Sequence, residues 1–293
     1  MAKHLGVDFE RPLIELETRI DELKRFAAQH KVDLNDEITT LEQRLLDEAK
    51  RIYANLTPWE RVLVARNQNR PQTRDYIPLL FEEFIEIHGD KLYSDDPAIV
   101  TGFARIAGRK VLFVGQHKGR NLEEREKCHY GCPNPEGYRK AISKMQMAEK
   151  FGIPIVSFID TKGAWCGIGA EERGQSIAIA KNLEVMAVLR TPIICIVIGE
   201  GGSGGALAVA IGDRLAIMEN AYFSVISPEG CAAILWRDSA YAPDAAAALK
   251  MTAPDLYEHG LVDEVIAEPP GGAHRAINAA ASGLKDYIVR ELD

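Results

Sequence analysis

The chain has 293 residues, enough for one large domain with an appendage or for two domains. With 46% hydrophobic and 27% charged residues it has the composition of a water-soluble globular protein, and a formal charge of -8 argues against nucleic acid as its main partner. No apolar stretch approaches the roughly 20 residues of a membrane span, and the start MAKHLGVDFERP lacks the pattern of a signal peptide.

Residues 1–56 differ in character from the rest. Leu13, Leu16, Ile20, Leu23 and Phe26 recur at helical spacing, with charged residues on the other faces. His30 to Asn35 is polar enough to break the pattern, and Asn35 or Asp36 can cap a second helix carrying Ile38, Leu41, Leu45, Ala49 and Ile52. This predicts a helical hairpin arm. It has too little core to stand alone, so it should pack on the main domain (57–293) or on a partner subunit, with no chemistry of its own.

Thr57-Pro58 is a cap followed by proline at the first helical position. Tyr76 to Ile87 reads as a further helix stopped near Gly89. Ile99 to Ala107 and Lys110 to Val114 then read as strands joined at Ala107-Gly108-Arg109. The basic segment Gln116-His117-Lys118-Gly119-Arg120 leaves a strand end, where α/β proteins tend to place ligands. Cys128 and Cys132 flank His129, but no second ligand pair of suitable spacing follows, which argues against a metal centre. An odd total of five cysteines, with Cys195 inside an apolar run, suits a reducing cytoplasm.

From Pro135 helix and strand alternate: a helix over Glu136 to Phe151, a strand over Ile153 to Ile159, a long helix over Arg173 to Leu189, and a strand over Ile193 to Ile198. Short strands at Arg214 to Met218 and Tyr222 to Ile226 and a helix at Glu229 to Trp236 follow. GIPIVSFIDTKGAWCGIG and RTPIICIVIGEGGSGGA echo each other, each running from a proline (Pro154, Pro192) through a buried strand into a glycine-rich turn. This internal repeat supports an α/β fold and brings successive turns to one edge. The second turn, Gly199 to Gly205, separates an unbroken apolar strand from the small, helix-compatible residues Ala206 to Ala210. Such a turn presents free backbone N–H groups and can hold an anion or an oxygen that becomes negative during a reaction; the alternative is a turn that merely lets helix and strand pack closely. It lacks the Lys-Ser/Thr ending of a P-loop and the spacing of a dinucleotide fingerprint.

Pro135 to Lys140, Gly169 to Gln175, Ile198 to Ala206 and Ser227-Pro228-Glu229-Gly230-Cys231-Ala232, in this order along the chain with the opening DFERPLIELETRIDEL and the closing EPPGGAHR, resemble the carboxyltransferase alpha subunit of bacterial acetyl-CoA carboxylase. The resemblance covers nearly the whole chain. It implies a crotonase-like fold, a spiral of ββα units. It implies transfer of a carboxyl group from carboxybiotin, carried on a separate biotin carboxyl carrier protein, to acetyl-CoA, giving malonyl-CoA for fatty-acid synthesis. It further implies a zinc-ribbon-bearing beta subunit that supplies most CoA contacts, an alpha2beta2 assembly, and no metal in this chain. By similarity the N–H groups of Gly204 and Gly205 serve the biotin ureido oxygen, within a binding surface of Gly201, Gly202, Ser203, Gly163 and Gly167. Arg173, Lys118 and Arg120 are candidate cations for carboxylate or carrier recognition, although ordinary ion pairing explains them as well.

The family usually carries Thr-Pro-Gly-Ala-Tyr-Pro-Gly where this chain has Thr161-Lys162-Gly163-Ala164-Trp165-Cys166-Gly167, and His-Gln where it has Gln116-His117. A cation and a thiol thus replace prolines at the expected rim of the active site. Competing expectations are a carboxyltransferase for another acyl-CoA, a crotonase-like hydratase or isomerase using Glu171 and Glu172, and an inactive regulatory or assembly subunit.

Overall fold

The apolar runs beginning at Ile155 and Ile193 lie side by side as parallel strands at the middle of an eight-stranded sheet in the computed structural model, which describes residues 8–293. The expectation that the start lacks a signal sequence falls partly on residues 1–7, outside those described.

The arm is a hairpin of α1 (Arg11–His30) and α2 (Asn35–Tyr53), reversed at Lys31 in the left-handed region. Neither expected cap serves α2: the helix begins at Asn35 itself, whose N–H donates to the Asp33 carboxylate. Leu13, Ala49, Tyr53 and Leu56 form a small core with Val64 of α3 (Pro58–Ala65), the helix that opens with the Thr57–Glu60 capping box. A buried carboxylate fastens this core to the other end of the chain. Glu10 accepts from Tyr53 and from Arg275 (2.6 Å), with His274 at 3.2 Å. Burial would push its carboxyl up, but the hydrogen bonds from His274 and Tyr53 and the charge of Arg275 outweigh this and hold it at about 2.

After α4 (Thr73–Leu80) the chain does not continue as a helix to Ile87. Phe81 turns extended, and β1 (Glu83–Glu86) pairs antiparallel with β2 (Ile99–Ile106). Alternation of exposed and half-buried residues sets Phe84 against Phe81 and Phe113, and Gly102 on the facing strand, two residues from its partner Ala104, leaves room for that ring. The pull of tertiary packing overrides helical periodicity here. β3 (Arg109–Gln116) completes the hairpin through Ala107-Gly108, both at positive φ. A short α5 (Leu122–Lys127), not expected from the sequence, leads to α6 (Pro135–Lys150) and β4 (Ile155–Thr161).

The long helix expected over Arg173 to Leu189 is α8 (Gln175–Met186), shorter at both ends, and a separate α7 (Ile168–Glu172) precedes it, the two parted where Gly174 takes φ 78°. β5 (Ile193–Gly202) is buried along its whole length and absorbs the first glycines, and α9 (Ser203–Leu207) takes in the last two, so strand and helix meet at Ser203 and the helix starts before the expected Ala206. Beyond it lie β6 (Arg214–Met218), β7 (Tyr222–Ser224), α10 (Pro228–Leu235), α11 (Ala242–Leu249), α12 (Ala253–Glu258), β8 (Glu264–Ile266) and α13 (Ile277–Glu291). The sheet order is β1-β2-β3-β4-β5-β6-β8, parallel from β3 onward, with β7 beside the end of β5. The repeat is visible in the register. Ile155 faces Ile193, and the carbonyls of Pro154 and Pro192 each accept, at 2.8 Å, from the next strand.

Candidate active site

The ends of β4 and β5 do not run evenly. Ile159 faces Val197, yet Thr161 faces Gly201, so Ile198, Gly199 and Glu200 bulge opposite Asp160. The bulge brings two acidic residues together, the Glu200 N–H donating to Asp160 Oδ1 (2.9 Å). A Cβ on Gly199 would fall on the Asp160 carboxylate, so glycine is required there for the close approach.

Lys118, leaving β3, lies between these carboxylates, with Nζ 2.5 Å from Asp160 and 2.9 Å from Glu200. Glu200 also accepts from Arg66 Nε (2.9 Å) and from the Tyr222 hydroxyl (2.7 Å), while Arg66 reaches Glu229 at 2.5 Å. Burial would raise the Glu200 carboxyl, but Lys118 and Arg66 hold it at about 2. For Asp160 burial prevails and pushes the carboxyl up against the pull of Lys118. Burial opposes the charge of Lys118, but its two carboxylate neighbours raise its affinity for the proton.

Two adjoining cavities open over this network. One of about 220 Å³ is lined by Arg66, Arg70, Lys118, Tyr130, Lys162 and Glu200, among others. The other, of about 370 Å³, is lined by Arg66, Lys162, Gly202, Ser203, Tyr222, Ile226, Ser227 and Glu229. Arg66 and Lys162 border both.

The strand-to-helix turn faces the second cavity. Ser203 is exposed and holds φ 53°, an uncommon conformation for a residue with a side chain, which bends β5 sharply into α9. No side chain caps α9, so its first amides are free of a helical partner. The glycines differ in what surrounds them. A Cβ on Gly201 would meet Phe223, one on Gly202 the Lys162 carbonyl, and one on Gly205 the backbone of Gly163 and Ala164. On Gly204 a Cβ would meet only Ile179, at 3.9 Å. Gly163 has φ 152°, and a Cβ on Gly167 would meet the Trp165 indole. Thus Gly201, Gly202, Gly205 and Gly167 allow segments to pack closely, whereas Gly204 has room for a Cβ in ordinary contact with Ile179.

The candidate cations part company. Lys118 lines the first cavity but is neutralised there. Arg120 is held by Asp75 and by the carbonyls of Gln68 and Arg70 (3.2 Å each), bracing the loop behind the cavity. Arg173 pairs with Glu136 (2.8 Å) over the Tyr93 ring, outside both cavities. Glu171 and Glu172 are exposed and line neither cavity. His129, between the two cysteines, contacts Asn134 and the Trp165 ring.

Asp160 and Glu200 are site residues that the sequence reading does not single out, although Asp160 ends the first apolar strand of the repeat and Glu200 lies within the glycine run of the second. Arg66 and Tyr222 join the cluster from distant elements, and no local spacing announces them. Gln116 was also undervalued. Fully buried, it accepts from the Asp160 N–H (3.1 Å) and donates to the Gly205 carbonyl (2.8 Å), tying β4 to the glycine turn. His117 beside it is buried, and burial holds its imidazole down at about 4. Gln116→Leu strands a buried N–H and a buried carbonyl. A loss of about 2 kcal/mol in urea unfolding is expected, and an unchanged midpoint would deny Gln116 this bridging role.

The sheet and its edge cavities define the crotonase-like α/β class. The chain superposes on the transcarboxylase 12S crystal structure with a TM-score of 0.59 at 24% identity, covering 75% of this chain and 42% of that one. It is 50% identical to the acetyl-coenzyme A carboxylase carboxyl transferase subunit alpha of Rhodopirellula baltica, over 98% of this chain and 90% of that protein. With the same-named protein of Bordetella pertussis it shares 55% identity, over 92% of this chain and 84% of that protein. Residues 6–293 match the family described as acetyl co-enzyme A carboxylase carboxyltransferase-like. The chain belongs to that family.

Proposed function

We propose that this chain is the alpha subunit of an acetyl-CoA carboxyltransferase. In this reading it moves a carboxyl group from carboxybiotin on a separate carrier protein to acetyl-CoA, giving malonyl-CoA for fatty-acid synthesis in the cytoplasm. The observation that carries it is kinship at 50–55% identity along nearly the whole chain. Bound biotin would supply the transferable carboxyl group. The residues present fit that group, because the uncapped start of α9 adjoins the second cavity through Gly202 and Ser203 and leaves room at Gly204. The Gly204 amide, assisted by that of Gly205, holds developing negative charge on an oxygen. Lys162, at the border of both cavities, adds a positive charge for a carboxylate. The buried Lys118–Asp160–Glu200–Arg66 network keeps the two strand ends, and hence the turn, in register. No side chain of this chain needs to act as the base, since proton transfer can be left to the substrate pair. Gly201, Gly202, Gly163 and Gly167 shape the surface without touching the reacting atoms, and Arg120 and Arg173 serve carrier recognition at most indirectly.

The remaining parts of the reading are a beta subunit that holds CoA, and an alpha2beta2 assembly. Among the described residues no helix is long and apolar enough to cross a membrane. The test is reconstitution. The purified chain alone should not decarboxylate malonyl-CoA in the presence of a biotin derivative, and mixing it with a beta-type subunit should create the activity. Turnover by the isolated chain would sink the two-subunit reading.

A further inference from the structure

At the cavity mouth the segment after α5 (129–134) is stapled to the loop after β4 (161–167). The Trp165 N–H donates to the Pro133 carbonyl (3.0 Å), and the Gln175 amide donates to both the Pro133 carbonyl (2.9 Å) and the Trp165 carbonyl (2.7 Å). The Thr161 hydroxyl donates to the Gly131 carbonyl (2.6 Å), and the His129 ring lies 4.8 Å from that of Trp165. Each segment carries one cysteine next to the staple: Cys132 directly precedes Pro133, and Cys166 directly follows Trp165. The Trp165–Pro133 bond joins the residues immediately beside Cys166 and Cys132, so the two cysteines flank one backbone hydrogen bond. Disulfides bridge Cα separations of about 4.4–6.8 Å. Cys166 is exposed and Cys132 half-buried, whereas Cys128, Cys195 and Cys231 are buried. Burial raises the Cys132 thiol, Lys162 pulls it back down, and Cys166 is near enough to oppose its ionisation.

We propose that Cys132 and Cys166 form a thiol–disulfide exchange site that takes a low-molecular-weight disulfide as oxidant and closes an intrachain bond across the active-site rim. The exposed Cys166 thiolate attacks one sulfur of glutathione disulfide, whose S–S bond breaks to release one glutathione. The Cys132 thiolate then attacks Cys166 Sγ and expels the second. The two thiol protons end on the two glutathiones, and two electrons pass from protein to oxidant. The bond immobilises the loop whose Lys162 carbonyl backs Gly202 and whose Gly163-Ala164 backbone backs Gly205.

The linkage itself does not depend on the carboxyltransferase reading; its effect on rate does. Incubating the full chain with glutathione disulfide, alkylating free thiols and mapping peptides by mass spectrometry should show a 132–166 cross-link that dithiothreitol removes. Cys132→Ser should instead accumulate a stable glutathione adduct on Cys166. In the reconstituted complex, oxidation should slow turnover at least threefold, reversibly. A parent chain that stops at a glutathione adduct on Cys166, or that links either residue to another cysteine, overturns the exchange site. Cross-linking with an unchanged rate overturns its coupling to the active site alone.

Discussion

Glu200→Ala is expected to destabilise the chain by about 3–5 kcal/mol, lowering Tm by roughly 10 °C. Its carboxylate is the common acceptor for Lys118, Arg66 and Tyr222, and its removal leaves Lys118 with Asp160, Arg66 with Glu229 and the buried Tyr222 hydroxyl without its acceptor. Glu200→Gln keeps the shape and one acceptor, so a smaller loss is expected. The pH dependence carries a definite sign. The Glu200 carboxyl sits at about 2 in the fold against an ordinary 4.5, so its contribution is complete above pH 4.5 and vanishes as pH falls towards 2. That displacement corresponds to about 3 kcal/mol. Asp160, raised by burial, works in the opposite sense, because the fold binds its proton more readily and so gains stability as pH falls. Urea titrations between pH 7 and 3 should therefore show a shallower acid decline for Glu200→Gln than for the parent. Parallel curves would mean that Glu200 is not held ionised by its partners.

The two central strands, the repeat and the helical arm were legible because each rests on local pattern: unbroken apolar runs, prolines at matching places, and a 3.6-residue period. Elements that depend on a partner were not. Glu83–Glu86 looks helical until Gly102 and Phe113 supply the surface that Phe84 packs against. The break at Gly174 is one residue inside a strongly helical stretch, and a lone glycine does not announce a positive φ. At the site the glycine run was visible, but its residues looked equivalent. Only the neighbours distinguish Gly204, where a Cβ would make an ordinary contact with Ile179, from Gly201, Gly202 and Gly205, where it would collide with backbone or ring atoms. The charges misled for a related reason. Arg120 and Arg173 carry the same formal charge as Lys162, and only three-dimensional pairing shows that Asp75 and Glu136 have claimed them. Arg66 and Tyr222 lie 156 residues apart and meet at Glu200, a coincidence of topology that spacing along the sequence does not encode.

Gly204→Val and Gly205→Val, one residue apart, should fail in different ways. At 204 the new side chain meets Ile179 at ordinary contact distance, so the helix start, the fold and partner binding should survive. What it blocks is access to the amides at the head of α9. If those amides stabilise a developing negative oxygen, loss of their service should lower kcat in the reconstituted complex by about 10²–10³, with Tm little changed. At 205 the side chain is driven into the Gly163-Ala164 backbone, which cannot yield as a flexible side chain would. The loop must move or the turn must open, breaking the Gln116 bond to the Gly205 carbonyl. Gly205→Val should therefore lose stability by about 2 kcal/mol or more, as well as losing activity. Thermal melts and steady-state rates on both variants separate the two effects. A folded Gly204→Val complex turning over at the parent rate would remove the amides of this turn from the chemistry and leave it the close-packing role alone.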